Sequence, residues 1–127
     1  YFEYVTDMDS LVHWVEHFLE FFIGNLRHDP SKILIVTRTS AERDAIRSST
    51  PGGYVCSAYE SAQDENIVCE TVFRAKGLEF DHVIFATIDA NVKKSFLYVG
   101  LSRAVSTLCV LAPTEVIMDQ LQLVRNK

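Results

Sequence analysis

The run Cys69-Glu70-Thr71-Val72-Phe73-Arg74-Ala75-Lys76-Gly77-Leu78-Glu79-Phe80-Asp81-His82-Val83-Ile84-Phe85-Ala86-Thr87-Ile88-Asp89 decides the fold. Two apolar, β-branched segments are separated by a polar turn, Arg74-Ala75-Lys76-Gly77, and by Leu78-Glu79-Phe80-Asp81. Short continuous apolar runs suit strands buried on both faces, so residues 67–73 and 82–88 are expected to be strands. Gly77 permits a tight turn or a close approach of backbone to a ligand. Glu79 stands between Leu78 and Phe80, both expected to be buried. Its carboxylate is then placed by a rigid frame beside the turn, where it suits a hydroxyl such as that of a ribose.

Working outward, apolar residues recur at helical spacing over residues 10–27, behind the capping oxygens of Thr6 and Asp7 and ahead of Asp29-Pro30-Ser31. Residues 1–5 and 33–36 read as strands, 41–47 as a helix with Glu42 in its first turn, and 48–53 as a loop. Residues 54–58 read as a strand and 61–66 as a polar loop. After the central run come a helix over 95–105, a strand over 107–112 and a helix over 114–125 capped by Thr114. Strands alternating with helices on short loops predict one α/β domain with an open, mainly parallel sheet. Ligands of such sheets sit at the carboxyl ends of strands, where Thr37-Arg38 and the Lys76-Gly77 turn are expected.

At 127 residues the chain is long enough for a real core, and a net charge of -5 provides no global basic field for nucleic acid. The three cysteines, Cys56, Cys69 and Cys109, lie in apolar runs without C-x-x-C spacing, as buried thiols of a reducing, cytoplasmic protein would. No secretory signal or membrane span is read, since the apolar segment at 11–26 carries His, Glu and Asn. The start at Tyr1 without an initiator Met suggests a fragment of a larger protein.

His13-Trp14-Val15-Glu16-His17 spells H-x-x-E-H, the inverted zinc-peptidase signature, with two imidazoles at i and i+4. A pentapeptide with three fixed positions recurs by chance and its third ligand is unassigned, so two solvent-edge histidines and no metal are expected, with a zinc peptidase as the remote alternative. No G-x-x-x-x-G-K-[ST] occurs, so the chain does not cradle nucleotide phosphates in the P-loop manner.

Three stretches together resemble the second RecA-like motor domain of superfamily 1 helicases of the UvrD/Rep type. Thr71-Val72-Phe73-Arg74-Ala75-Lys76-Gly77-Leu78-Glu79-Phe80-Asp81 resembles motif V (T-x-H-x-A-K-G-L-E-F). Tyr98-Val99-Gly100-Leu101-Ser102-Arg103-Ala104 resembles motif VI (Y-V-[AG]-[LVI]-[ST]-R-A), and Ile35-Val36-Thr37-Arg38-Thr39-Ser40 resembles the strand and loop ending in R-T-N. The resemblance covers residues 33–112 and implies an ATP-dependent DNA helicase or translocase whose ATP and Mg²⁺ sit between this domain and an N-terminal RecA-like domain of the same parent chain. It implies that Arg103 is an arginine finger, that Glu79 contacts the ribose, and that Lys76 and Gly77 belong to the ATP site. It further implies single-stranded DNA on Arg38, Ser40, Thr71 and Phe73, and no turnover by this chain alone. Phe73 replaces the family's histidine and Ser40 its asparagine, both on the nucleic-acid side. Phe73 is open to two readings, a ring that stacks on a base or a core residue. The span from Ser40 to Thr71 is too short for the inserted subdomain of larger members, and the upstream N-Y-R arginine is absent. A non-catalytic RecA-like regulatory or interaction module is the rival reading.

Overall fold

The computed structural model describes residues 1–91 and 104–117. Six strands form one all-parallel sheet: β1 (Phe2–Tyr4), β2 (Ile33–Thr37), β3 (Cys56–Ser57), β4 (Ile67–Thr71), β5 (Phe80–Ala86) and β6 (Ala104–Ala112). Their order across the sheet is β1-β6-β5-β2-β4-β3. The expected α/β class and open parallel sheet are what the structure has. Among the described residues, the helices with both ends in view are α1 (Met8–Leu19) and α2 (Ser40–Ser49).

β2 is central, and all five of its residues are buried. Alternate side chains then serve two cores. Ile33 and Ile35 join Ile67, Cys69, Ile84, Cys109 and Leu111 beneath α1, which contributes Leu11, Val15, Phe18 and Leu19. Leu34 and Val36 join Val68, Val83, Phe85 and Val110 on the other face, under Val72, Ala75, Val116 and Ile117. Fully burying an aliphatic side chain of this size stabilises by about 1.5–3 kcal/mol.

α1 begins two residues earlier than its periodicity indicates. Asp7 and Ser10 form a capping box, with Asp7 Oδ1 accepting from Ser10 N at 2.8 Å and Ser10 Oγ from Asp7 N at 3.1 Å. Beyond Leu19 the helix widens into a π-helical segment, Glu20–Asn25. It ends before Asp29: Leu26 N and His28 N donate to the carbonyls of Phe21 and Phe22, and Arg27 takes a left-handed φ of 61°. α2 carries the second capping box, Thr39 with Glu42, and runs to Ser49, two residues past the expected end.

The remaining differences also have physical causes. The strand expected over 54–58 shrinks to Cys56–Ser57, an edge strand with β4 as its single neighbour and 3₁₀ turns on either side. β4 stops at Thr71 because its carbonyl accepts from Ala75 N, which starts a turn. β5 runs from Phe80 rather than His82, with a register shift between these two residues against β6. Ala104 and Val105 belong to β6, not to a helix, and the rest of the expected helix over 95–103 lies outside the described residues. Pro113 rather than Thr114 occupies the cap of the last helix, since its carbonyl accepts from Ile117 N at 3.3 Å. Residues 118–125 of that helix lie outside the described residues.

Candidate functional site

β4 and β5 are parallel but separated by β2, so residues 72–79 must carry the chain back across the sheet. Val72 and Ala75 anchor this connection in the core, which leaves Phe73, Arg74, Lys76, Gly77 and Glu79 exposed. The connection therefore starts at the carboxyl edge of the sheet and finishes at the amino edge. Register shows it: Thr71 is level with Thr37 at the end of β2, whereas His82 is level with Ile33 at its start. The Lys76-Gly77 turn, expected at the carboxyl ends of strands, is instead carried away from them, and Gly77 reaches the amino edge because β2 separates β4 from β5 and the chain must return before β5 begins.

On the carboxyl edge the structure brings together Arg38, Ser40, Thr71 and Phe73. Val72 N donates to Thr37 O at 2.8 Å, joining the turn after β4 to the end of β2. Thr71 is buried, Ser40 is exposed at the start of α2, and Phe73 is 60% exposed, which corrects the reading of it as core. Arg74 pairs with Glu60 at 2.7 Å. Lys76 Nζ lies 5.4 Å over the Phe73 ring, a cation–π contact that joins this lysine to the aromatic residue.

Under this edge lies Glu42, a buried carboxylate whose full role sequence reading missed. Oε1 accepts from the backbone N–H groups of Arg38 (3.1 Å) and Thr39 (3.0 Å); Oε2 accepts from Thr87 Oγ1 (2.9 Å) and Ile88 N (2.7 Å). One side chain thus ties the loop after β2 to the loop after β5. The T-x-x-E spacing announces the capping half of this arrangement; nothing local announces the half that reaches Thr87. Asp89, also missed, forms an ion pair with Arg38 (Nε to Oδ2 2.9 Å). A second buried carboxylate, Glu70, pairs with Arg47 at 3.1 Å and accepts from Tyr59 N at 3.0 Å, fixing α2 and the Tyr59 turn to β4.

On the amino edge, Gly77 adopts a φ of 83°, a conformation that favours glycine. Gly77, Leu78, Glu79 and Phe80 line a surface cavity of about 300 Å³ together with Ser31, Lys32, Tyr59 and Asp81. Leu78 and Phe80 are half-buried rather than buried, and Glu79 is exposed. The cavity offers two carboxylates, Glu79 and Asp81, and one lysine, Lys32, a set that suits hydroxyl groups better than a triphosphate. A cavity of about 630 Å³ elsewhere gathers Asp29, Asp64 and Glu65, charge of the wrong sign for phosphate. Arg103 lies outside the described residues. Its neighbour Ala104 opens β6 in register with Phe80, the residue after Glu79.

The imidazoles of H-x-x-E-H flank Trp14 edge-on, with centroids at 5.4 Å for His13 and 5.1 Å for His17. No group of three or more His, Cys, Asp or Glu side chains able to hold a metal ion exists among the described residues. Nor is any described helix long and apolar enough to cross a membrane.

The open parallel sheet, with candidate ligand residues on its edge connections, is an α/β fold of the RecA-like type. Residues 66–111 match the family model described as the UvrD-like helicase C-terminal domain. Among solved structures, the chain is similar to the C-terminal domain of a possible DNA helicase from Lactobacillus plantarum WCFS1. The TM-score is 0.70 at 24% identity, covering 88% of this chain and 72% of that one. It is also similar to the C-terminal part of the Fun30 ATPase domain, with a TM-score of 0.61 and 12% identity over 90% of this chain and 44% of that chain. No curated protein matches the chain. The matched segment and the structural neighbours give the chain a RecA-like fold similar to that of helicase C-terminal domains.

Proposed function

We propose that this domain is the second motor domain of an ATP-dependent DNA helicase or translocase, acting with an N-terminal RecA-like domain of the same parent chain. The observation that carries the reading is the pairing of Phe80 with Ala104, which puts the Glu79 turn and the start of β6, the strand that follows Arg103, on one edge of the sheet. In this reading Glu79 accepts a hydrogen bond from a ribose hydroxyl and Gly77 lets the backbone come close to the nucleotide. Arg103 provides a permanent charge to the phosphates; an arginine in that role is worth about 10³ to 10⁵ in rate in related NTPases. Bound ATP, with Mg²⁺, supplies the free energy of phosphoanhydride hydrolysis, and the P-loop belongs to the other domain. Arg38, Ser40 and Phe73 form part of the single-strand track on the opposite edge. The burial of Thr71 makes it a support for that track, and the contact of Lys76 with Phe73 moves this lysine toward it.

The experiment is strand-stimulated ATP hydrolysis by the full-length protein, wild type against Arg103→Ala. Turnover is expected to collapse while nucleotide binding is largely kept. Equal rates in the two proteins, or no hydrolysis in either, refute the motor assignment and leave a RecA-like fold put to another use.

A further inference from the structure

Arg38 and Asp89 meet from two different loops, after β2 and after β5, and both loops hang on Glu42. Arg38 N and Thr39 N donate to one of its carboxylate oxygens, Thr87 Oγ1 and Ile88 N to the other. Asp89 is held further by its own N–H, which donates to Thr87 Oγ1 at 3.1 Å, and by Asn91 N, which donates to Asp89 Oδ1 at 2.8 Å. The ion pair is therefore built by the fold and is not a chance meeting of two long side chains. Its two side chains are 35% and 29% exposed, so parts of both reach solvent, whereas Arg38 Nε itself is buried.

From this geometry we infer that Asp89 is a counter-charge that competes with nucleic-acid phosphate for Arg38 and sets the threshold for strand binding on the carboxyl edge. This rests on the reading of Arg38 as a strand contact. Asp89 Oδ2 lies 2.9 Å from the buried guanidinium Nε, so its charge sits beside the planar fork with which arginine grips a phosphate in bidentate fashion. A phosphate that approaches the exposed part of the fork meets the repulsion of Asp89 as it arrives and shares the guanidinium charge with it. A partly exposed pair is weak enough to open, so the device tunes binding without blocking it. Glu42, reaching both loops from below, positions the two competitors.

The test is binding of a fluorescein-labelled oligo(dT) to the protein, followed by anisotropy over a range of salt concentrations. Asp89→Asn keeps the shape and an oxygen for Asn91 N; Asp89→Ser removes the charge without adding an amide and must behave alike. Both are expected to bind about two- to fivefold tighter at low salt, the upper part of the range that a partly exposed ion pair is worth, with the gap closing as salt rises. Arg38→Ala is expected to weaken binding, and the double variant to bind as Arg38→Ala alone does. Unchanged or weaker binding by the Asp89 variants overturns the inference, as does equal tightening in the Arg38→Ala background, which would signal a general charge effect. If Arg38→Ala by itself binds as wild type, the assignment of Arg38 to the strand track fails first and the inference falls with it.

Discussion

Replacing Glu42 tests how the carboxyl edge is held, because its carboxylate is 1% exposed and receives four donors. In Glu42→Gln the shape remains but one oxygen becomes an NH₂ group. The amide settles best with its oxygen toward the N–H groups of Arg38 and Thr39 and its NH₂ toward Thr87, whose hydroxyl can rotate to accept. Ile88 N–H, at 2.7 Å in the wild type, is then left facing a donor. Stranding one such group costs about 1–3 kcal/mol, so Glu42→Gln is expected to lose about 2 kcal/mol. Glu42→Ala strands all four donors, some of which reach water, and loses about 4 kcal/mol. For a domain of this length, 2 kcal/mol is roughly 6–10 °C in Tm. Urea unfolding of the three proteins checks the order wild type, Gln, Ala. A Gln variant as stable as wild type, or an Ala variant no worse than Gln, refutes the idea that Glu42 locks the two loops together.

Two further outcomes follow from buried groups. His82 stacks on His28 with ring centroids 3.8 Å apart, and its Nδ1 is buried without a hydrogen-bond partner. Burial first, and His28 second, hold its pKa below the ordinary histidine value, while Asp81 opposes them. The unfolded chain therefore takes up the proton first, and stability falls as pH drops below about 6.5, the unfolded value; His82→Phe should flatten the change in urea midpoint between pH 7 and pH 5, and an unaltered slope counts against the assignment. Burial also pushes the thiols of Cys56 and Cys109 up to about 12, and that of Cys69 higher still. No thiol should react with DTNB at pH 8 in the native protein and all three should in urea; rapid native reaction would mean that a thiol is open to solvent.

The division between what was legible and what was not follows the range of the interactions. The alternation of apolar runs with helical periodicity determined the α/β class, since β2 and β4 lie in the interior of a parallel sheet and are buried on both faces, which selects mainly apolar residues. The capping signal at Asp7 and the place of Glu42 in the first turn of α2 were local, and so were the three motifs that relate the chain to helicase C-terminal domains. Strand ends were less legible, because they depend on neighbours: Cys56 and Ser57 form a short edge strand against β4, and Phe80 joins β5 through its partner Ala104 in β6.

Only the tertiary structure decided which candidates share an edge. Gly77 and Glu79 lie a few residues from Phe73 in sequence, yet the connection crosses β2 between them and carries them to the amino edge, beside Ser31 and Lys32. Arg38 and Asp89, far apart in sequence, meet because β2 and β5 are hydrogen-bonded neighbours and their following loops share the Glu42 carboxylate. Local sequence specifies the elements and their caps; the meeting of distant loops is set by strand order, which emerges only when the whole sheet assembles.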